Sequence, residues 1–73
     1  MKKEGIVTKY DGYTGVINDY YGKEYLLLKK ETLENIKEND IVTFDSEIVV
    51  TTKEYRNVAR FVKKRDNNTN NSW

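Results

Sequence analysis

The side chains best suited to chemistry in this chain are tyrosines, lysines and arginines, because the sequence contains neither histidine nor cysteine. The commonest general base, the thiol nucleophile and the usual zinc ligands are therefore missing. The sequence also lacks the glycine-rich patterns of phosphate-binding and dinucleotide-binding loops. The composition predicts a binding protein that is not an enzyme and that needs no metal or cofactor.

Tyrosines and basic residues together can bind a single-stranded nucleic acid. Aromatic rings stack on bases, and basic side chains contact phosphates. Tyrosines lie in or beside the turns that flank the second predicted strand, and residues 56–65 hold five basic residues without an acid. Such residues also occur as ordinary turn positions and solvated chain ends. The candidates for stacking and phosphate contact are Lys9, Tyr13, Tyr20, Tyr21, Lys29, Lys30, Arg56 and Arg60.

The charge balance argues against a strongly basic nucleic-acid binder. Thirteen lysines and arginines face twelve acids, which gives a net charge of +1. Strong binders usually have a clearly basic domain. The acids are concentrated in residues 31–47, however, so folding can still gather the basic segment on one face.

These residues must be positioned by a short chain rich in β-formers. Its 73 residues make one domain with a thin core. Segments of β-branched and aromatic residues alternate with turn signals and predict strands at 5–10, 15–20, 24–29, 42–50 and 55–63. Period-two alternation predicts that the fourth strand buries one face, which carries Val42, Phe44, Ser46, Ile48 and Val50.

A helical turn is predicted at residues 32–36, with Thr32 as its N-cap and with Leu33 and Ile36 on a shared face. Five strands with this turn after the third predict an all-β, five-stranded antiparallel Greek-key barrel, which is the oligonucleotide-binding fold. We expect residues 1–65 to form the barrel. Residues 66–73, which end in Trp73, are predicted to be a disordered polar tail.

The location expected for this chain is the cytoplasm. No apolar stretch approaches the roughly 20 residues that a membrane span needs, and we expect no targeting segment and no membrane partner. The absence of cysteine is consistent with a reducing compartment.

Local sequence adds a family resemblance over about residues 4–65. Glu-Gly-Ile-Val at 4–7 looks like the opening of the bacterial cold-shock proteins, and Gly-Val-Ile at 15–17 lies where their first RNA-binding motif is expected. Residues 24–28 lie where the second motif is expected, and residues 36–44 resemble the later Leu-x-Glu-Gly-Gln-x-Val-x-Phe. Asn57-Val58 resembles the family's closing Ala-Asn-Val. The resemblance implies a cold-shock barrel that binds single-stranded RNA or DNA.

The family's aromatic binding positions are all changed in this chain. They fall on Lys9, Thr14, Val16, Leu26, Leu28 and Lys29. Without these stacking platforms the resemblance implies weak or atypical binding. Tyr25 and Leu27 are expected to point inward, which would leave Val16, Leu26 and Leu28 as an outward aliphatic patch. The alternative function is therefore a protein-interaction module, with a protein partner or self-association through that patch.

Overall fold

The computed structural model describes residues 2–65, so the predicted polar tail and Trp73 lie outside the described residues. Five strands and one short helical turn form in these residues. Their bounds are β1 (Lys3–Tyr10), β2 (Thr14–Asp19), β3 (Glu24–Leu28), the 3₁₀ turn η1 (Lys29–Glu31), β4 (Ile41–Val50) and β5 (Tyr55–Lys64). Each predicted strand is present, with its ends displaced by no more than two residues.

The strands close into one barrel in the order β1-β2-β3-β5-β4. This confirms the predicted all-β, five-stranded barrel with a helical turn after the third strand. The arrangement is not antiparallel throughout. β5 leaves the β4–β5 hairpin in the same direction as β3, so the closing contact pairs Leu26 with Val58 in parallel.

The core lies inside the barrel and comes from the inward positions of the strands. Tyr25 and Leu27 point inward, as predicted, and the Tyr25 ring meets Phe44 edge-on with centroids 4.9 Å apart. The side chains of the core cluster are Val7, Ile17, Tyr25, Leu27, Ile36, Val42, Phe44, Ala59 and Val62. Alternation identified four of these nine residues, namely Tyr25 and Leu27 in β3 and Val42 and Phe44 in β4.

Two strands carry a bulge where they bend around the barrel. In β1 the register shifts between Val7 and Lys9. In β5 an extra residue lies between Arg60 and Lys63, and Phe61 there has a φ of 54°. Bulges of this kind increase local twist and let a strand turn a corner.

The predicted helical turn at residues 32–36 is wrong in position. The turn that forms is η1, and Thr32 is its C-cap, donating its hydroxyl to the Lys29 carbonyl at 2.8 Å. Thr32 then pairs with Val62 as an isolated bridge. Leu33 and Ile36 do not share a face, because the chain bends at Leu33 and Glu34 and leaves Leu33 exposed while Ile36 is buried in the core.

The single buried face predicted for the fourth strand is only half correct. Val42 and Phe44 are fully buried, whereas Ser46, Ile48 and Val50 are exposed. β1 runs beside β4 only as far as Phe44. Beyond it, residues 46–57 form a two-stranded extension that we call the hairpin arm, which ends in a turn where the Thr51 N–H donates to the Glu54 carbonyl at 2.8 Å.

In the described part of the chain, no helix has the length and apolar character needed to cross a membrane.

Candidate nucleic-acid interface

The outward face of β1, β2 and β3 carries a cross-strand row of three predicted site residues. Val16 is paired with Lys9 on one side and with Leu26 on the other. Lys9 is exposed, while Val16 and Leu26 are half-buried. We call Lys9, Val16 and Leu26 the platform row.

The predicted aliphatic patch faces outward but is only partly accessible. Leu28 lies opposite Thr14 at the end of β3 and is half-buried, like Val16 and Leu26. The structure thus brings these three side chains onto one face. None of them is among the strongly exposed apolar residues of the described chain.

One end of this face is formed by the loop between β1 and β2. The Asp11 carboxylate accepts the backbone N–H groups of Tyr13 at 2.8 Å and Thr14 at 2.9 Å. The N–H groups of Thr14 and Tyr13 lower the pKa of Asp11, because they stabilise its charged form. Asp11 therefore fixes the loop from which the Tyr13 ring projects into solvent.

Tyr13 and Lys29 are brought together at this end. The Lys29 N–H donates to the Tyr13 carbonyl at 2.9 Å, and the Lys29 ammonium lies 5.5 Å from the centre of the Tyr13 ring. Tyr13 is 71% exposed. An exposed ring is the kind of side chain that can stack on a base, and a lysine beside it is the kind that can contact a phosphate.

The other end of the face contains Tyr55, which the sequence analysis did not select. Tyr55 and Arg56 begin β5 and line a groove together with Val16 and Leu26. Tyr55 is 67% exposed. Ligands of oligonucleotide-binding folds contact the loop between strands four and five as well as strands two and three. The signal in the sequence that could have identified this position was a tyrosine followed by an arginine, directly after the turn predicted between the fourth and fifth strands.

Tyr20 and Tyr21 lie in the turn between β2 and β3, directly before Glu24 at the start of β3. The Asp19 carboxylate accepts the N–H groups of Tyr21 and Lys23, each at 2.9 Å, and so holds that turn. Neither tyrosine lines the grooves beside the platform row. Both rings are exposed.

The basic run of residues 56–65 is largely engaged with acids. Arg60 forms ion pairs with Glu31, at 2.8 Å, and with Glu47. These contacts, first with Glu31 and then with Glu47, raise the pKa of Arg60. Arg65 pairs with Glu4 at 2.8 Å. The segment therefore ties strands together, and Arg60 is directed toward carboxylates.

The remaining charges leave the face close to neutral. Arg56 lines the groove beside Leu26 and is 3.2 Å from the carboxylate of Glu54. Glu24 lines the same groove, and Glu38 lines the neighbouring groove beside Lys9. Lys30 is exposed on η1, next to Lys29. With few free cations, electrostatic attraction to a phosphate chain is small.

No protein-family model matches this chain, and no curated protein matches its sequence significantly. The cold-shock resemblance therefore stays a prediction.

Proposed function

We propose that this protein is a cytoplasmic, non-enzymatic module that binds single-stranded RNA or DNA weakly across the outward face of β1–β3. The observation that carries the proposal is the placement of Tyr13 and Tyr55. The two exposed rings lie at opposite ends of β3, with the platform row between them. Membership of the cold-shock family is part of the same proposal, supported by the closed five-stranded barrel and the ordered local matches.

The separation of the two rings suits an extended strand of nucleic acid. Tyr13 adjoins the end of β3 at Leu28, through its contact with Lys29, whereas Tyr55 lies beside Glu24 at the start of β3. Four residues of strand separate these ends, which corresponds to roughly 13 Å. Bases would stack at each end, and the backbone between them would pass Lys9.

The proposed interface differs from the family pattern in where its aromatic rings come from. At three of the family's platform positions this chain has the aliphatic side chains Val16, Leu26 and Leu28, which offer apolar contact without stacking. The other three positions hold Lys9, Thr14 and Lys29. The tyrosines of the two bordering loops take over the stacking role in our proposal. Each stacked base contributes about 1–3 kcal/mol, so two rings give weaker binding than a full aromatic platform.

We expect Tyr13→Ala and Tyr55→Ala each to weaken binding of a labelled oligo-dT or oligo-U by about tenfold or more, since about 1.4 kcal/mol is tenfold. Fluorescence anisotropy at low salt measures this. Tyr21→Ala is the matched control, because Tyr21 is 96% exposed and lines neither groove. Equal losses in all three variants, or no binding by the wild type, would contradict the proposal.

Salt dependence provides a second measure of the same site. Lys9, Lys29 and Arg56 are the cations beside the face. Three phosphate contacts predict a slope of log K against log salt of about −2, from about −0.7 per contact for single strands. Lys29→Gln should reduce that slope by about 0.7.

The alternative function is a protein contact through Val16, Leu26 and Leu28. Its support is that the three side chains share one outward face across β2 and β3. Their partial burial ranks it second, because protein-binding patches are usually contiguous and well exposed. A Leu26→Asp/Leu28→Asp variant that folds normally and keeps every partner would exclude it.

A further inference from the structure

The outer edge of β4 is open along the hairpin arm. β1 pairs with β4 from Ile41 to Phe44, while β4 continues to Val50. Within residues 2–65, β5 is the only strand that pairs with β4 beyond Phe44. The other edge of that stretch presents backbone groups without a strand partner, which is a template for pairing with another chain.

This open edge, residues 46–50, lacks the features that usually protect one. Natural edges are shielded by proline, by inward charges or by lysine. The chain contains no proline, and the one charged residue of the edge, Glu47, is already paired with Arg60. The edge ends in Ile48-Val49-Val50, of which Ile48 is 59% and Val50 is 73% exposed.

The apolar surface of the arm continues across the hairpin. Tyr55 is paired with Val50 and is itself exposed. Opposite residues in an antiparallel pair lie on the same face, so Val50 and Tyr55 are neighbours there, with Ile48 two residues along. Exposed apolar residues grouped in this way mark an interaction surface.

We propose that the open edge pairs with the same edge of a second copy of this chain, antiparallel and about a twofold axis. A twofold interface uses one patch twice, so the patch must complement itself. Residues 46–50 satisfy this requirement in one register. The pairing edge belongs to β4 and does not use Val16, Leu26 or Leu28. It adjoins the proposed nucleic-acid face at Tyr55, which lies across the hairpin from Val50.

The register that fits best places Val49 opposite Val49 of the second copy. Ile48 then lies opposite Val50 of the other chain, so the aliphatic side chains of both copies meet. Glu47 lies opposite Thr51 in this register, and no acid faces an acid. A register centred on Glu47 would place two like charges opposite each other, which is destabilising.

The size of the contact predicts its strength. An edge of five residues buries much less area than the roughly 1,200–2,000 Å² of stable interfaces. We therefore expect a reversible dimer whose population rises with protein concentration. A permanent dimer is not expected.

Sedimentation velocity over a wide concentration range tests this on the full chain. The wild type should approach twice the monomer mass of 8.6 kDa as concentration rises. Val49→Lys should sediment as a monomer at the concentration where the wild type is half dimeric. Leu33→Lys is the control, because Leu33 is similarly exposed but lies outside the arm, and it should dimerise like the wild type.

A cysteine trap tests the register. The chain has no cysteine, so Val49→Cys introduces the only thiol. Directly opposite residues of antiparallel strands have Cα atoms about 4.5–5.5 Å apart, within disulfide reach. Under mild oxidation Val49→Cys should form a covalent dimer several-fold faster than Leu33→Cys.

Three results would overturn the proposal. A wild type that stays monomeric at every concentration would show that the open edge does not pair with a second copy of this chain. Dimerisation that Val49→Lys does not weaken would place the contact on another surface. Equal cross-linking of the two cysteine variants would exclude the proposed register.

Discussion

Asp19 shows how a single side chain can tie a turn of this fold to its core. Its carboxylate accepts two backbone N–H groups of the β2–β3 turn and the hydroxyl of the buried Tyr25 at 3.2 Å. Burial opposes ionisation, but the N–H groups of Lys23 and Tyr21 and the Tyr25 hydroxyl outweigh it, so the pKa of Asp19 is lowered. Burial, followed by the contact with Asp19, raises the pKa of Tyr25.

The lowered pKa of Asp19 predicts a specific acid sensitivity. A depressed carboxyl pKa stabilises the folded state above the ordinary value of about 3.9, and this stabilisation is lost as pH falls through the lower folded pKa. Asp19→Asn should therefore lower the free energy of unfolding at neutral pH, and this deficit should shrink in acid, as the pH falls below the ordinary carboxyl pKa and through the lower folded one. Urea unfolding at both pH values measures it.

Asp45→Asn is the control for that experiment. The Asp45 carboxylate lies 3.8 Å from the Lys2 ammonium, in an exposed ion pair. Exposed pairs contribute about 0–1 kcal/mol, so this variant should remain near the wild type at both pH values. A deficit for Asp19→Asn that does not change with pH would contradict the account of Asp19.

Position 15 requires glycine, because β1 lies too close to β2 there for any side chain. A Cβ atom there would lie 2.1 Å from the Lys9 carbonyl oxygen and 2.8 Å from Tyr10 Cα. Since both are backbone atoms, Gly15→Ala would displace β1, and we expect a loss of about 3 kcal/mol or more of stability, at the upper end of overpacking costs.

Gly12→Ala is the matched comparison for Gly15→Ala in thermal or urea unfolding. Gly12 has a φ of 98°, but a Cβ atom added there would meet no other atom within 4 Å. Only backbone strain of about 1–2 kcal/mol is therefore expected. Equal losses in the two variants would contradict the steric role of Gly15.

At the scale of the elements, alternation predicted where strands form but not what lies beside them. The pattern of 42–50 is uniform, yet burial stops after Phe44 because β1 no longer runs beside β4. The sequence of one strand carries no information about the length of its neighbour. The exposed hairpin arm, and with it the open edge, could therefore be found only in the structure.

The prediction of a helical turn at residues 32–36 was wrong for a different reason. Leu33 and Ile36 have helical spacing, but five residues cannot form a stable helix alone, and tertiary contacts decide their conformation. The Leu33 N–H donates to the Val62 carbonyl at 2.8 Å, and Ile36 enters the core. Contacts with β5 and with the core thus hold the segment in a conformation that is not helical.

The candidate site was predicted in part. The resemblance to cold-shock proteins assigned Lys9, Val16 and Leu26 to binding positions, and the structure places these three residues side by side on one face. Tyr55 was missed because its position beside β3 depends on the parallel contact of Leu26 with Val58. Pairing between distant strands of this kind leaves no local signature in the sequence.

At the scale of the whole molecule, one arginine links the acidic segment of the sequence to the basic segment. Glu31 and Glu47 of the acidic segment pair with Arg60 of the basic segment, which lies between them on the barrel. Arg56 and Arg65 pair with Glu54 and Glu4, so three of the five basic residues of that segment are engaged with acids. In our proposal, nucleic acid is therefore bound mainly by stacking, with a smaller contribution from charge.

The most direct test of the nucleic-acid proposal is an amide chemical-shift titration of the full chain with an oligo-dT or oligo-U strand at low salt. We predict shifts concentrated at Tyr13, Lys29, the platform row and Tyr55. Lys64, which lines a separate groove, should be unaffected. Absence of shifts on β1–β3 and on the hairpin arm at millimolar oligomer would contradict the account.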